Sequence, residues 1–450
     1  METKTLANFI ADTSYEDMKP ETVDLAKMFI LDFCGVALAG AQESSSKILR
    51  DYFLTDAGTG CATLLDGSLH CGGAAAVAAL NGAFGHAQDF DDLHNSSTVH
   101  PGVITIPTAL ALGQKYHSSG AEVILSVVLG YDVAARIGEI INPSAYQYWH
   151  TTAVAGPFSS AAVAAKILGL NGEQTANAFG SAGTQAGGLW AFLQDGAMSK
   201  PLHVANANVC GIRSAELAAR GFTGATAILE SPRGFAHALS KAPHLEAATS
   251  MLGSPFKIHT NSLKPYACCR HTHSACYGIY VMKQTYGIAP EDIEAIYDDT
   301  YSDALKLTDN PDPANPYAAK FSLQYCIAAA LQFPNLHEDA FSWSGLKDPR
   351  IRELMKRTKV GPSDDIEAAH RADASQWGHR IRLVLKDGRV CERLFTYPFG
   401  DFHNPFTWED TKRKYTLLAE PVIGPRKTEE LYRRICGLEK MPDVEPLFRL

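Results

Sequence analysis

Residues 73–102 read GAAAVAALNGAFGHAQDFDDLHNSSTVHPG. The run Gly73–Phe84 is almost all Ala, Val and Leu, which predicts a helix slim enough for its neighbours to approach closely. The continuation, 89–102, sets three carboxylates (Asp89, Asp91, Asp92) and two histidines (His94, His100) into apolar surroundings. Three chemistries compete for it: a metal site, an acid/base site for a small acidic substrate, or a solvated helix end. If Gly85–Leu93 closes the helix, Asp89 and Asp92 lie three apart and share a face with His86.

The helical texture extends on both sides. Val23–Gly40 carries Leu25, Phe29, Leu31, Phe33 and Val36 with polar residues between them. Ala121–Ile141 follows Ser118-Ser119-Gly120, and Ser159–Leu170 and Ile212–Ala219 each stop near a glycine. These segments predict an all-helical domain over 1–258. From about residue 260 the texture changes. IEAIYDDTY (293–301) is rich in β-compatible residues, and RIRLVLKDGRVCERLF (380–395) alternates before turning at Asp387-Gly388. Helical pieces at 274–286 and 321–331 lie between, so 259–402 is expected to form a smaller α/β domain. The segment 403–450 is helical again and is expected to return to the bundle. The fold class expected is mainly α.

Composition narrows the functions. The chain has 450 residues, 46% hydrophobic and 20% charged, and a formal net charge of −9. An acidic balance without a basic run argues against nucleic acid or an anionic membrane as partner. The most apolar helical run, Val123–Leu129, is soon broken by Gly130, Asp132 and Arg136, so no membrane span is expected. Ten cysteines are scattered without a CxxC pair, which gives no zinc knuckle and no cluster cradle. METKTLANFIADTSYEDMK lacks the features of a secretory signal, so reduced cysteines and a cytoplasmic location are expected.

Other polar clusters recur in the same Ala/Gly-rich context. His150 follows Tyr148-Trp149, and Lys200 opens Lys200-Pro201-Leu202-His203, where the following proline biases it toward an extended loop. Lys264 precedes Pro265-Tyr266, and Cys268-Cys269-Arg270-His271-Thr272-His273 comes next. Each alone is compatible with a core histidine or a surface lysine. Together they supply aspartate, histidines, two lysines and an arginine at loop-to-helix junctions, which suits acid/base work on a polycarboxylate. The metal alternative, a DDxxD box, has Asn95 at its fifth position and no second acidic box downstream.

GHAQDFDDLHNSSTVHPG resembles the hallmark of the MmgE/PrpD family, which includes 2-methylcitrate dehydratase, cis-aconitate decarboxylase and iminodisuccinate epimerase. SKPLHVANANVCGIRSAELAARGFTG, LKPYACCRHTHSA, KFSLQYCIA and NPFTWED resemble it in the same order, from about Leu6 to about Leu438. The resemblance implies a large helical domain, a smaller α/β lid, a homodimer, a cleft between the domains and chemistry without a cofactor or metal. Carried over by position, it implies catalytic roles for Asp89, His100, His150, Lys200 and Lys264. Tyr301 matches an active-site tyrosine of the family. Two positions depart from it: Leu93 stands where dehydratases and decarboxylases have threonine, and Cys269 where decarboxylases have histidine.

Proton removal next to a carboxylate builds negative charge there, so cations must already be in place. Lys200, Lys264 and Arg270 are the expected carboxylate holders, Arg270 by a two-pronged contact. His203, His273 and Tyr301 complete the expected substrate-binding set. One of His100 and His150 is expected as base and the other as acid, with Asp89 orienting a histidine or bonding a substrate hydroxyl. The expected function is a cofactor-independent hydro-lyase for a small di- or tricarboxylate of the 2-methylcitrate type. A cis-aconitate-type decarboxylase and a dicarboxylate epimerase are the alternatives within the same architecture. A metal-dependent helical synthase and a non-catalytic scaffold are alternatives from other classes.

Overall fold

Small residues decide how the first half packs. In the computed structural model, which describes residues 1–55 and 58–450, it is built from α1 (Glu2–Asp12), α2 (Pro20–Gly40), α3 (Ser44–Phe53), α4 (Ala74–Ala87), α5 (Gly102–Tyr116), α6 (Gly120–Ile141), α7 (Thr151–Ile167), α8 (Gly172–Gly183) and α9 (Ser199–Ala219). A methyl group on Gly82 of α4 would meet Asn208 Nδ2 at 2.4 Å and Val103 O at 2.5 Å. One on Gly211 of α9 would meet Ser160 Cβ of α7 at 2.4 Å. Only glycine lets α4 lie against α5 and α9, and α9 against α7, this closely. Leu31, Phe84, Ile106, Val128, Phe158 and Val204 fill the core between these helices.

Two helices begin earlier than their periodicity predicts. α7 starts at Thr151 and runs through Pro157, with His150 as its N-cap. α9 starts at Ser199, so Lys200 lies in a first helical turn and not in the extended loop expected from Pro201. The first turn has no intrahelical partner for its N–H groups, so a proline there costs little. α6 begins as expected: Ser119 N donates to Glu122 Oε2 at 2.7 Å, and Glu122 N to Ser119 Oγ at 3.2 Å, a reciprocal cap.

Beyond residue 260 the chain forms a mixed four-stranded sheet. Two short pairs, β1 (Ala62–Thr63) with β2 (Cys71–Gly72) and β3 (Leu93–His94) with β4 (Asn261–Ser262), precede β5 (Ile293–Thr300), β6 (Thr358–Pro362), β7 (His379–Leu385) and β8 (Val390–Phe395). The sheet order is β6-β5-β7-β8, with β5 and β6 parallel and the other pairs antiparallel. The β7–β8 hairpin pairs Leu383 with Cys391 and turns through Gly388, whose φ of 87° suits glycine. Ile381, Leu383 and Leu385 point inward into the core shared with the helices His273–Tyr286 and Leu323–Gln332, as the alternation predicts.

The two cores are tied at few places. Val36 of α2 and Phe90 reach into the core of the sheet region. The helical segment Trp408–Cys436, interrupted at Gly424, packs along α2 and contributes Tyr415, Ala419 and Leu431 to the helical core. Its Lys414 forms an ion pair with Asp32 of α2 at 2.8 Å. Among the described residues, no helix is long and apolar enough to cross a membrane.

Candidate active site

The acidic motif is not a helix face. α4 ends at Ala87, Asp89 adopts a left-handed backbone with φ 56°, and Leu93–His94 pairs with Asn261–Ser262 as a strand. This corrects the expected i, i+3 arrangement of Asp89 and Asp92. Aspartate tolerates the left-handed region better than most residues, and three buried lysines hold the turn by its carbonyls. Lys320 Nζ donates to Gln88 O at 2.8 Å, Lys264 Nζ to Asp89 O at 2.9 Å and Lys414 Nζ to Phe90 O at 2.8 Å. These carbonyls follow a helix C-terminus, where partners are lacking and cations are favoured.

Each of the three carboxylates has its own partners. Asp89 Oδ1 accepts a hydrogen bond from Lys200 Nζ and lies 3.3 Å from Lys264 Nζ. Burial works against a charged Asp89, but the Lys200 and Lys264 ammoniums reverse this and hold its carboxyl below the usual range. Asp91 Oδ2 accepts from His86 Nδ1 at 2.7 Å and lies 2.9 Å from His100 Nδ1, at an angle too bent for a full hydrogen bond. Asp92 is structural: it accepts from Gly102 N at 3.1 Å and from Asn261 Nδ2 at 2.6 Å. Burial, with the Asp91 charge nearby, pushes the Asp92 carboxyl up to about 7. His94 is structural too, bonded to Ser97 Oγ at 2.8 Å and Thr260 Oγ1 at 2.9 Å.

A cavity of about 370 Å³, open solvent at its mouth included, lies against Asp89. His100, Lys200, Lys264 and Arg270 line it with Asp89, as do Tyr146 and His271. Thr98 also lines it and, like Asp89, has a positive φ, here 53°. Backbone in this region costs energy for a non-glycine residue, and its occurrence twice at one cavity marks a site whose geometry is enforced by its surroundings. Burial lowers the His100 pKa; Asp91 opposes this, while Lys264 and Lys200 reinforce it. His100 is therefore a neutral base at neutral pH.

The second imidazole at the cavity is held differently. His271 Nδ1 is 2.5 Å from Tyr301 Oη and its Nε2 3.0 Å from Tyr146 Oη, and its ring stacks on Trp377 with centroids 4.1 Å apart. Burial drives the His271 pKa well down and both tyrosine pKa values well up, so all three groups are neutral. Arg270 is held from behind by Asp401, whose Oδ2 lies 2.7 Å from Nη2.

Asp89, His100, Lys200, Lys264 and Arg270 of the expected set come together at this cavity. His150, His203, His273 and Tyr301 stand one layer back. His150 stacks on His86 with centroids 5.4 Å apart, and its Nδ1 is 3.2 Å from His203 Nδ1. His273 Nδ1 lies 3.3 Å from Arg270 Nη1 while its Nε2 donates to Cys268 O at 3.1 Å. Tyr301 is reached only through His271. The sequence reading gave no role to Tyr146, Trp377 or Asp401, which sit in segments with no distinctive pattern, nor to Asp91 as the partner of His100. Two histidines flanking an aspartate within fifteen residues, His86 to His100, was the available signal for Asp91.

His86, Asp89, Asp91 and His100 also bring potential metal-ligand atoms within 4.8 Å of one another. Their donor set fits a cation poorly. Asp89 is already neutralised by two ammoniums, Asp91 is engaged by two imidazoles, and a divalent ion there would face Lys200 and Lys264 at close range.

The family assignment follows from whole-chain comparison. The MmgE/PrpD N-terminal domain matches residues 4–248 and the MmgE/PrpD C-terminal domain residues 266–436. The chain belongs to the MmgE/PrpD family. It is similar to cis-aconitate decarboxylase of Aspergillus terreus, 26% identical over 476 aligned positions that cover 100% of this chain and 95% of that protein. The cis-aconitate decarboxylase-like protein oryM of Aspergillus oryzae is 25% identical, covering 100% and 96%. The mitochondrial 2-methylcitrate dehydratase of Yarrowia lipolytica is 27% identical over 256 positions, 54% of this chain and 48% of that protein. Decarboxylases and dehydratases are both lyases, and the similarity to these relatives puts the chain in that enzyme class.

Proposed function

We propose that this lyase dehydrates a small hydroxy-carboxylate without a metal or cofactor, acting in the cytoplasm as a homodimer. One observation carries the reading: a carboxylate-backed neutral imidazole, His100, shares a cavity with Lys200, Lys264 and Arg270. The Asp91 carboxylate, 2.9 Å from Nδ1 of His100, favours the proton on that nitrogen and leaves Nε2 as the basic atom. With substrate carboxylates at the lysine pair and at Arg270, Nε2 takes the proton from the carbon next to a carboxylate. The charge that develops on that carboxylate falls beside Lys200 and Lys264, where it is stabilised most in a dry site. As the carbon–carbon double bond forms, the hydroxyl leaves from the adjacent carbon and takes a proton from Tyr146. Tyr146 is reprotonated through His271 and Tyr301.

Decarboxylation is the second reading, favoured by the full-length similarity to cis-aconitate decarboxylases. There His100 first takes up a proton from solvent, favoured by Asp91; the carbon–carbon bond to a carboxylate breaks, carbon dioxide leaves, and His100 delivers that proton to the carbon left behind. Proton NMR of a carboxylate panel in heavy water separates the readings. A new vinylic signal with loss of the hydroxyl-bearing carbon supports dehydration. Loss of a carboxylate with deuterium at its carbon supports decarboxylation. Bare deuterium exchange with neither product overturns both.

A further inference from the structure

Much of the cavity lining is apolar. Leu93, Trp190, Leu193, Leu307, Phe321 and Trp377 face the same cavity as Lys200, Lys264 and Arg270. They come from β3, the short helix Trp190–Gln194, the helix Ser302–Thr308 and two loops, so five separate segments place apolar side chains at this one cavity. The site's own charges are already balanced, three cations to three carboxylates: Lys200 and Lys264 sit against Asp89 and Arg270 against Asp401, while Asp91 is met by His86 and His100. Lys320 and Lys414 behind the motif are likewise matched by Glu338 and Asp32. Among the described residues lining the cavity there are two cationic seats, the Lys200–Lys264 pair and Arg270, and no third.

A ligand with three carboxylates would bring three negative charges into a balanced, buried site and would place one of them against leucine, phenylalanine or tryptophan. Leaving a carboxylate unpaired in apolar surroundings is among the most costly arrangements in a protein. An apolar group in the same position gains from leaving water. We propose that the cavity takes a substrate with at most two carboxylates and an apolar alkyl or aryl arm, the carboxylates at the lysine pair and Arg270 and the arm against Leu93, Leu193 and Leu307. The proposal rests on the carboxylate-lyase reading and narrows its substrate class. The indole N–H of Trp190, which lines the same cavity, is buried with no partner and is a free donor suited to a substrate hydroxyl.

Isothermal titration calorimetry of the full-length protein with two probes tests this: 2-benzylsuccinate, two carboxylates and an aryl arm, and tricarballylate, three carboxylates and no arm. Benzylsuccinate is expected to bind about tenfold or more tighter, the gain of burying one ring. A Leu93→Asn variant should narrow that ratio, and the wild-type ratio stands as a test even if the variant fails to fold. Tighter binding of tricarballylate overturns this inference and leaves the carboxylate-lyase reading intact. Binding of neither probe overturns both.

Discussion

The two imidazoles that line the cavity, His100 and His271, are both buried and both neutral, yet their partners differ in kind. His100 has a carboxylate behind it, Asp91, which favours the protonated ring once a proton arrives. His271 is held between two phenols, Tyr301 and Tyr146, and no carboxylate is bonded to either ring nitrogen. A proton accepted by His100 is stabilised where it lands, whereas one placed on His271 is not. The same side chain is thus a base on one side of the cavity and a neutral relay on the other. Acid/base roles follow from what stands behind a group more than from the group itself.

The broadest way to break this comparison is to titrate the fold. If the imidazoles around the site are buried in the neutral form, acid must charge them. Burial holds His86 at about 3 and His203 and His273 at about 4, below an unfolded value of about 6.5. Above about pH 6.5 they make no difference to stability; below it the unfolded chain takes up protons that the native protein refuses, and stability falls. Asp92, raised to about 7, acts in the opposite sense over the same range by holding a proton in the native state. The lowered histidines outnumber Asp92, so the net effect is a loss of stability as pH falls below about 6.5. Calorimetry should show Tm dropping below that pH, and a flat profile would mean that these rings are not buried neutral.

Kinetics sharpen it further. His100→Ala should lower kcat by about a thousandfold, and Asp91→Asn by about a hundredfold with the protein still folded. Equal turnover for Asp91→Asn and wild type would remove the distinction between the two imidazoles. Lys264→Ala loses a charge-assisted contact and should raise KM by about thirtyfold or more, measured as a KM-against-kcat split. Tyr146→Phe should cost about tenfold in kcat if a hydroxyl departs and little if carbon dioxide does, so steady-state rates of that one variant discriminate between the readings above. The wild-type kcat profile should keep its acid limb below the ordinary histidine range, because burial lowers the His100 pKa.

Much of this was legible in the residues. The Ala-rich run predicted α4, the apolar period after Ser118-Ser119-Gly120 predicted α6, and the alternation at 380–395 predicted the β7–β8 hairpin with its Asp-Gly turn, because these patterns are local. Asp89, His100, Lys200 and Lys264 were marked by polar clusters in apolar surroundings and converge at the cavity. The conformation of the acidic motif was not legible. Its helix-like spacing is overridden by lysines that lie 175 to 324 residues away in the chain, and local propensity carries no trace of such partners. Asp401 and Trp377 escaped for the same reason: each acquires its role only when a distant loop folds against Arg270 or His271.

The three lysines that grip the carbonyls of residues 88–90 also set a schedule. Lys264, Lys320 and Lys414 all follow residue 258, and Lys414 lies within the last forty residues of the chain. During synthesis the acidic motif emerges early, with its aspartates in place and none of these three ammoniums yet made. A ribosome-bound chain holding only the first 258 residues carries Asp89, His100, His150 and Lys200, but nothing to fix the turn that aims Asp89. The turn that aims Asp89 is therefore fully held only after Lys414 has been made, when Trp408–Cys436 docks along α2.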